Sequence, residues 1–208
     1  MGTRLLSKIA GYSYLIIFFA AIFANFGVVE NISEDPLFFI ETNTLLFKLA
    51  IIAFLATVVF DVVVAWALQE LYKHHSLSLL STFFRLSHAI IMGIAIFKLL
   101  EMLDFKSNEE ILINLKAFTR IWLIGLLFFG LHLILLGNIA KTSGFIRTFL
   151  MLAGLCYIID TIAYFVLPNY EAFSSIFLII LATCSIIGEM SFAIWLITKH
   201  GKEKYTQG

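Results

Sequence analysis

Charge is what this sequence has least of. Only 13% of its 208 residues are Asp, Glu, Lys or Arg, about half the share of a soluble domain, while 61% are apolar. That balance excludes a water-soluble globular protein and indicates an integral membrane one. The 14 basic and 14 acidic side chains cancel, so no net field favours nucleic acid as a partner. Cysteine is scarce too. Cys156 and Cys184 both lie in apolar runs with no CxxC or His-rich context, which supports neither a disulfide scaffold nor a zinc ribbon. Proline occurs twice, at Pro36 and Pro168, both between apolar runs, so the runs themselves should be continuous helices.

Six runs reach bilayer length, at about 9–29, 44–71, 77–100, 111–140, 145–167 and 173–198. None alternates as a membrane barrel strand would, and only helices otherwise satisfy their backbone in lipid. The expected fold is therefore all-α, a six-helix transmembrane bundle forming one domain over 1–208. The first run follows Arg4 and Lys8 but is long enough to span and lacks a small-residue cleavage site, so it reads as a retained helix rather than a signal peptide.

The connections sort by sign. Arg4, Lys8, Lys73, His74, His75, Lys141, Arg147, Lys199, Lys202 and Lys204 fall to one side. Glu30, Glu34, Asp35, Glu41, Asp104, Glu109, Glu110 and Glu171 fall to the other, with Lys48, Lys106 and Lys116 as exceptions. The positive-inside rule then puts both termini in the cytoplasm of a multi-pass protein of the cytoplasmic membrane. The sequon Asn31, Ile32, Ser33 on the opposite side matters only in a secretory-pathway host.

Few ionisable residues interrupt the spans, and those few carry the functional reading. An arginine near the middle of an apolar helix costs about 2.5–3.5 kcal/mol to insert, so Arg85 should face protein and find an anion. Asp61, Asp160 and Glu189 are the candidates, with His88 one turn from Arg85 and His132 on the next span. Counting rise per residue puts Asp61, Arg85, His88, His132 and Glu189 at or on the cytoplasmic side of the midplane, and Asp160 slightly beyond it. Helical spacing adds two inward stripes: Gly11, Tyr14, Phe18, Ala21 and Asn25, then Ala50, Ala53, Thr57, Asp61, Ala65 and Gln69. One guanidinium can offset one carboxylate, so the others need a proton, a histidinium or a cationic ligand.

Three readings remain open on these residues. The six side chains can form a site that binds or moves a proton, cation or small solute. They can serve an enzyme acting on a lipid or isoprenoid. Or they can fix helix register in an assembly or regulatory partner, as a buried ion pair alone would. No HExxH or close histidine pair occurs in a span, so zinc has no motif behind it, and haem between His88 and His132 has only their place on adjacent spans, at depths that differ by several ångströms. Cofactor, substrate and oligomeric state are left unassigned, and membrane lipid is the one partner composition implies.

The motifs AGYSYLIIFFAAIFA, FD at Phe60 and Asp61, FFRLSHA at Phe83–Ala89, GLHLILLG at Gly130–Gly137, LAGLCYIID at Leu152–Asp160 and GEMSFAIWL at Gly188–Leu196 together resemble the bacterial membrane family catalogued as domain of unknown function 4386. The resemblance covers nearly the whole chain. It implies about six membrane helices and brings no established activity. The metal-binding pattern of membrane ceramidases and adiponectin-receptor type hydrolases is not matched.

Overall fold

The structure, a computed structural model, describes residues 1–32 and 35–200. Ser33 of the sequon, Glu34, Lys202 and Lys204 lie outside the described residues. No strand occurs among the described residues. Helix α1 covers Thr3–Asn25, and α2, a short helix of Pro36–Thr42, starts on a proline in its first turn with Asp35 accepting the Phe38 backbone N–H. Then come α3 (Thr44–Leu71), α4 (Ser78–Glu101), α5 (Asn108–Ile139) and α6 (Gly144–Val166). The last span is α7 (Ser174–Ser185) and α8 (Ser191–Thr198), joined through a π-helical turn at Ile186–Met190. Among the described residues six helices are long and apolar enough to cross a membrane, as in a multi-pass membrane protein.

Each spanning helix packs on its neighbours in the chain, α1 on α3, α3 on α4, α4 on α5, α5 on α6 and α6 on α7. The ring closes where α8 returns to α1. Both inward stripes face protein: Gly11, Tyr14, Ala50, Thr57, Asp61 and Ala65 are buried, and Phe18, Ala21, Asn25, Ala53 and Gln69 are half-buried. Close approach is made by isolated glycines. A Cβ on Gly130 of α5 would stand 2.6 Å from the Gly154 carbonyl oxygen of α6, and one on Gly154 would stand 2.5 Å from the Gly130 oxygen. Gly11 likewise lets α1 touch α8 at Ala193.

The closing seam is sealed at the end that carries both termini. The Arg4 guanidinium donates to the carbonyls of Leu196, Ile197 and His200, satisfying the orphan acceptors of the last helical turn. Ser7 Oγ lies 2.6 Å from His200 Nδ1, and the His200 ring meets Trp195 and Tyr72 edge-on. At the far end Leu37 N–H donates to Asn108 Oδ1, tying α2 to the start of α5.

The sixth span is continuous, as expected, but its middle is not α-helical. Its π-helical turn arises without proline, at Gly188, where a Cβ would come within 2.8 Å of the Phe149 backbone. A wide turn shifts the helical phase by one residue, so α7 and α8 present different faces to the bundle. No residue of α7 is buried, whereas Phe192, Ala193, Trp195 and Leu196 of α8 are.

Two outcomes follow. Gly130→Ala should lose about 1–3 kcal/mol of stability through overpacking, whereas Gly93→Ala, with open space at its Cβ, should be tolerated; thermal unfolding in mild detergent separates them. Burial, with the Arg4 guanidinium nearby, holds the His200 ring below the ordinary histidine range. The folded chain therefore resists a proton that the unfolded chain accepts, and the seam is at full strength above that range and weakens as pH falls through it. The melting temperature should drop between pH 8 and pH 5, and His200→Gln should flatten part of that drop.

Candidate functional site

Arg85 is the largest fully buried side chain among the described residues, at 0% exposure. It sits on the α4 face that also buries Ser81, His88 and Met92, spaced by three or four residues. Three other helices supply its partners. Nη2 donates to Asp61 Oδ1 of α3 at 2.6 Å. Nη1 donates to the Tyr14 hydroxyl of α1 at 2.7 Å and points at His132 Nε2 of α5 at 3.2 Å. The Tyr14 and Phe129 rings lie 4.6 and 5.2 Å from the guanidinium carbon, close enough for cation–π attraction. Nε has no acceptor among the described residues.

The histidine protons follow from these neighbours. His132 Nε2 faces the Arg85 guanidinium, which has no lone pair to offer, so Nε2 accepts and Nδ1 carries the hydrogen. That Nδ1 lies 2.9 Å from Ser81 Oγ and 3.0 Å from the Ser81 carbonyl oxygen. Both ring nitrogens are engaged, and His132 is a neutral link between α4 and α5. Neither nitrogen is left for a haem iron. His88 is different. Its Nδ1 donates to the Gly125 carbonyl at 2.9 Å, while Nε2 faces Asp61 Oδ2 at 3.5 Å. A carbonyl only accepts, so a second proton on Nε2 would complete an ion pair, and without it a lone pair confronts the carboxylate. His88 thus bridges the Gly125 carbonyl of α5 and the Asp61 carboxylate of α3.

Glu189 belongs to the same interior but not to the guanidinium. It stands on the π-helical turn, where its carboxylate accepts from Ser185 Oγ, one turn earlier, and from the Tyr157 hydroxyl of α6 at 3.4 Å. No basic side chain pairs with it among the described residues. It opens on a cavity of about 290 Å³ whose polar end also includes Tyr14, Asp61, His88, Tyr157 and Ser185. Arg85 and His132 do not line that cavity. The expected pairing of Arg85 with Asp61 is present, and Glu189 instead meets hydroxyls.

Asp160 stands apart from the other five. It is 7% exposed, and its Oδ1 accepts from the Tyr170 hydroxyl at 2.8 Å; the tyrosine lies beyond the span rather than one turn away at Tyr157 or Tyr164. Burial and the adjacent carboxylate push the Tyr170 hydroxyl well above the usual tyrosine range. Asp160 and Glu30 line a second cavity of about 400 Å³ nearer the far end. The two cavities share Asn25, Trp122, Leu126, Leu178 and Leu181 as walls.

The comparisons with known proteins concern this same stretch of helices. The family model described as domain of unknown function DUF4386 matches residues 9–199. The chain belongs to the DUF4386 family. It is also 30% identical over 159 residues to a protein of Archaeoglobus fulgidus described as uncharacterized, covering 74% of this chain and 85% of that one. No solved structure matches. In this DUF4386 member each motif quoted from the sequence supplies a polar side chain to one of the two cavities or the guanidinium shell: Tyr14, Asp61, Arg85 with His88, His132, Asp160 and Glu189.

Four contributors escaped the sequence reading as site residues. Tyr14 lay in the inward stripe without a role, and Ser185 lies four residues before Glu189, a spacing that marks a same-face partner. Tyr157 and the Gly125 carbonyl come from other helices and leave no such trace. No group of three metal-ligating side chains forms among the described residues.

Removing one member of the Arg85–Asp61 pair leaves a buried charge unmatched. Asp61→Leu should therefore cost about 3–5 kcal/mol, and Asp61→Leu with Arg85→Met should recover most of that loss. Unfolding of the two proteins in detergent measures the difference.

Proposed function

We propose that this DUF4386 protein binds or moves a proton or a small cationic solute at an intramembrane acid, Glu189, held within a polar interior by Arg85. One observation carries the reading: of the two carboxylates on the cavity beside the guanidinium, Asp61 and Glu189, it is Glu189 that meets hydroxyl donors and no basic partner among the described residues. Asp61, by contrast, spends one oxygen on Arg85 and turns the other to His88. Counting Arg85 as positive and Asp61 and Glu189 as negative leaves one positive charge to supply. A proton on Glu189, a proton on His88 or a cation in the cavity closes the count, and each is an exchangeable species. The segregation of basic loops to the end with both termini supports a cytoplasmic placement of that end in a cytoplasmic membrane.

The register reading keeps a narrower scope. Arg85, wholly buried and absent from the cavity wall, with Asp61, Tyr14 and His132 around it, has the geometry of a device that aligns four helices. In this view the guanidinium is fixed scaffold and Glu189 is the working group. The enzyme reading draws on the same cavity, but no group of three metal-ligating side chains supports a metal version of it among the described residues.

Infrared difference spectroscopy on the reconstituted protein between pH 5 and pH 9 tests the assignment. A carboxylic C=O band that grows on acidification should be present and should vanish in Glu189→Gln, while the melting temperature stays within a few degrees. A band unchanged by that substitution, with no shift in cation binding, would remove Glu189 from the role.

A further inference from the structure

Resting on the reading of Glu189 given above, we infer that the cavity takes a membrane-dissolved amphiphile with a single positive charge, such as a protonated alkylamine, which reaches it sideways from the bilayer. The first ground is the division of the cavity. Tyr14, Asp61, His88, Tyr157 and Ser185 gather with Glu189 at one end, where the Phe129 ring packs on His88, and beyond them the wall is mainly apolar, with Phe18 and Trp122 and the polar exceptions Thr57 and Asn25. A cationic head would meet the carboxylate and lie near π-faces, and an apolar body would fill the rest. At about 290 Å³ the space is at the small end for ligand sites, so the body is short.

The second ground is the mouth. Ile22 of α1, Phe26 just past its end, Leu178 of α7 and Ile186 of the π-helical turn line the cavity and are also exposed. All four are apolar, and all belong to helices long enough to span, so the opening faces acyl chains. The gap has a structural cause. Beyond the π-helical turn α8 packs on α1, whereas α7 rests chiefly on α6, so α1 and α7 face each other across the cavity.

The third ground is electrostatic. The cavity wall holds Asp61 and Glu189 and no lysine or arginine. Asp61 is matched by Arg85 from behind, which leaves Glu189 as the net charge a ligand would see. An anionic lipid or fatty acid would meet like charge there, and a neutral alcohol would gain a hydrogen bond but no ion pair.

The test uses bromine as a quencher of tryptophan fluorescence, because Trp122 lines the apolar part of the cavity. The full chain in phosphatidylcholine nanodiscs is titrated with 8-bromooctylamine, and in parallel with 8-bromooctanol of equal length. The amine should quench saturably, the quenched fraction should disappear in Trp122→Phe, and Glu189→Gln should weaken amine binding tenfold or more. The alcohol should quench only in proportion to its partitioning. Tetramethylammonium, which has the charge without the tail and stays in water, should compete poorly. Equal saturable binding of alcohol and amine, or amine binding indifferent to Glu189→Gln, overturns the ligand class. Strong competition by tetramethylammonium overturns the bilayer route. A Glu189-dependent infrared band alongside absent amine binding would defeat this inference while leaving the proton-handling reading in place.

Discussion

A single guanidinium in a medium that cannot solvate it sets the terms for this bundle. Arg85 has to be met by protein, and the protein meets it with an acid from α3, a phenol from α1 and an imidazole from α5. Because those groups come from helices that would otherwise slide freely past one another in lipid, satisfying the charge also fixes their relative height. Apolar packing contributes little selectivity between such helices, since acyl chains are as apolar as leucine. The polar centre and the glycine contacts at Gly130 and Gly154 are what distinguish this arrangement from its neighbours in register.

That centre divides into a closed part and an open part. Arg85 and His132 have their hydrogen-bonding directions largely occupied and no place on the cavity wall. Asp61 and His88 bridge the two parts, with one side toward the guanidinium and the other toward the cavity. Glu189 is wholly in the open part. Such a gradient, from closed to open across neighbouring side chains, suits the role proposed for Glu189, because a carboxylate can change state only if its surroundings stay in place while it does so.

Much of this was legible from residues alone, for physical reasons that differ by residue. The spans follow from length and hydropathy, and the inward faces of α1 and α3 follow from helical spacing. Arg85 with Asp61 follows from the cost of leaving either alone in lipid. The placement of Glu189 against hydroxyls rather than the guanidinium does not, because a π-helical turn changes the phase of the last span and no proline announces it. Asp160 shows the limit of depth as a guide: one turn's difference in height put it in another cavity, with Tyr170 from beyond the span as its partner. The short helix Pro36–Thr42 was hidden for a simpler reason, since seven residues in a connection have too little periodicity to read.

The closure of the ring between α1 and α8 has a consequence for biogenesis. The helices that surround Arg85 are the first to leave the ribosome among the spans, so its charge can be matched while the chain is still being made. The acid on the sixth span arrives after them, and the chamber around it acquires its last wall only when that span returns to α1, where Arg4 grips the carbonyls of Leu196, Ile197 and His200. A nascent protein would therefore hold a finished electrostatic scaffold well before it held a finished binding chamber, and a stop codon ahead of the sixth span would leave the first intact and the second absent.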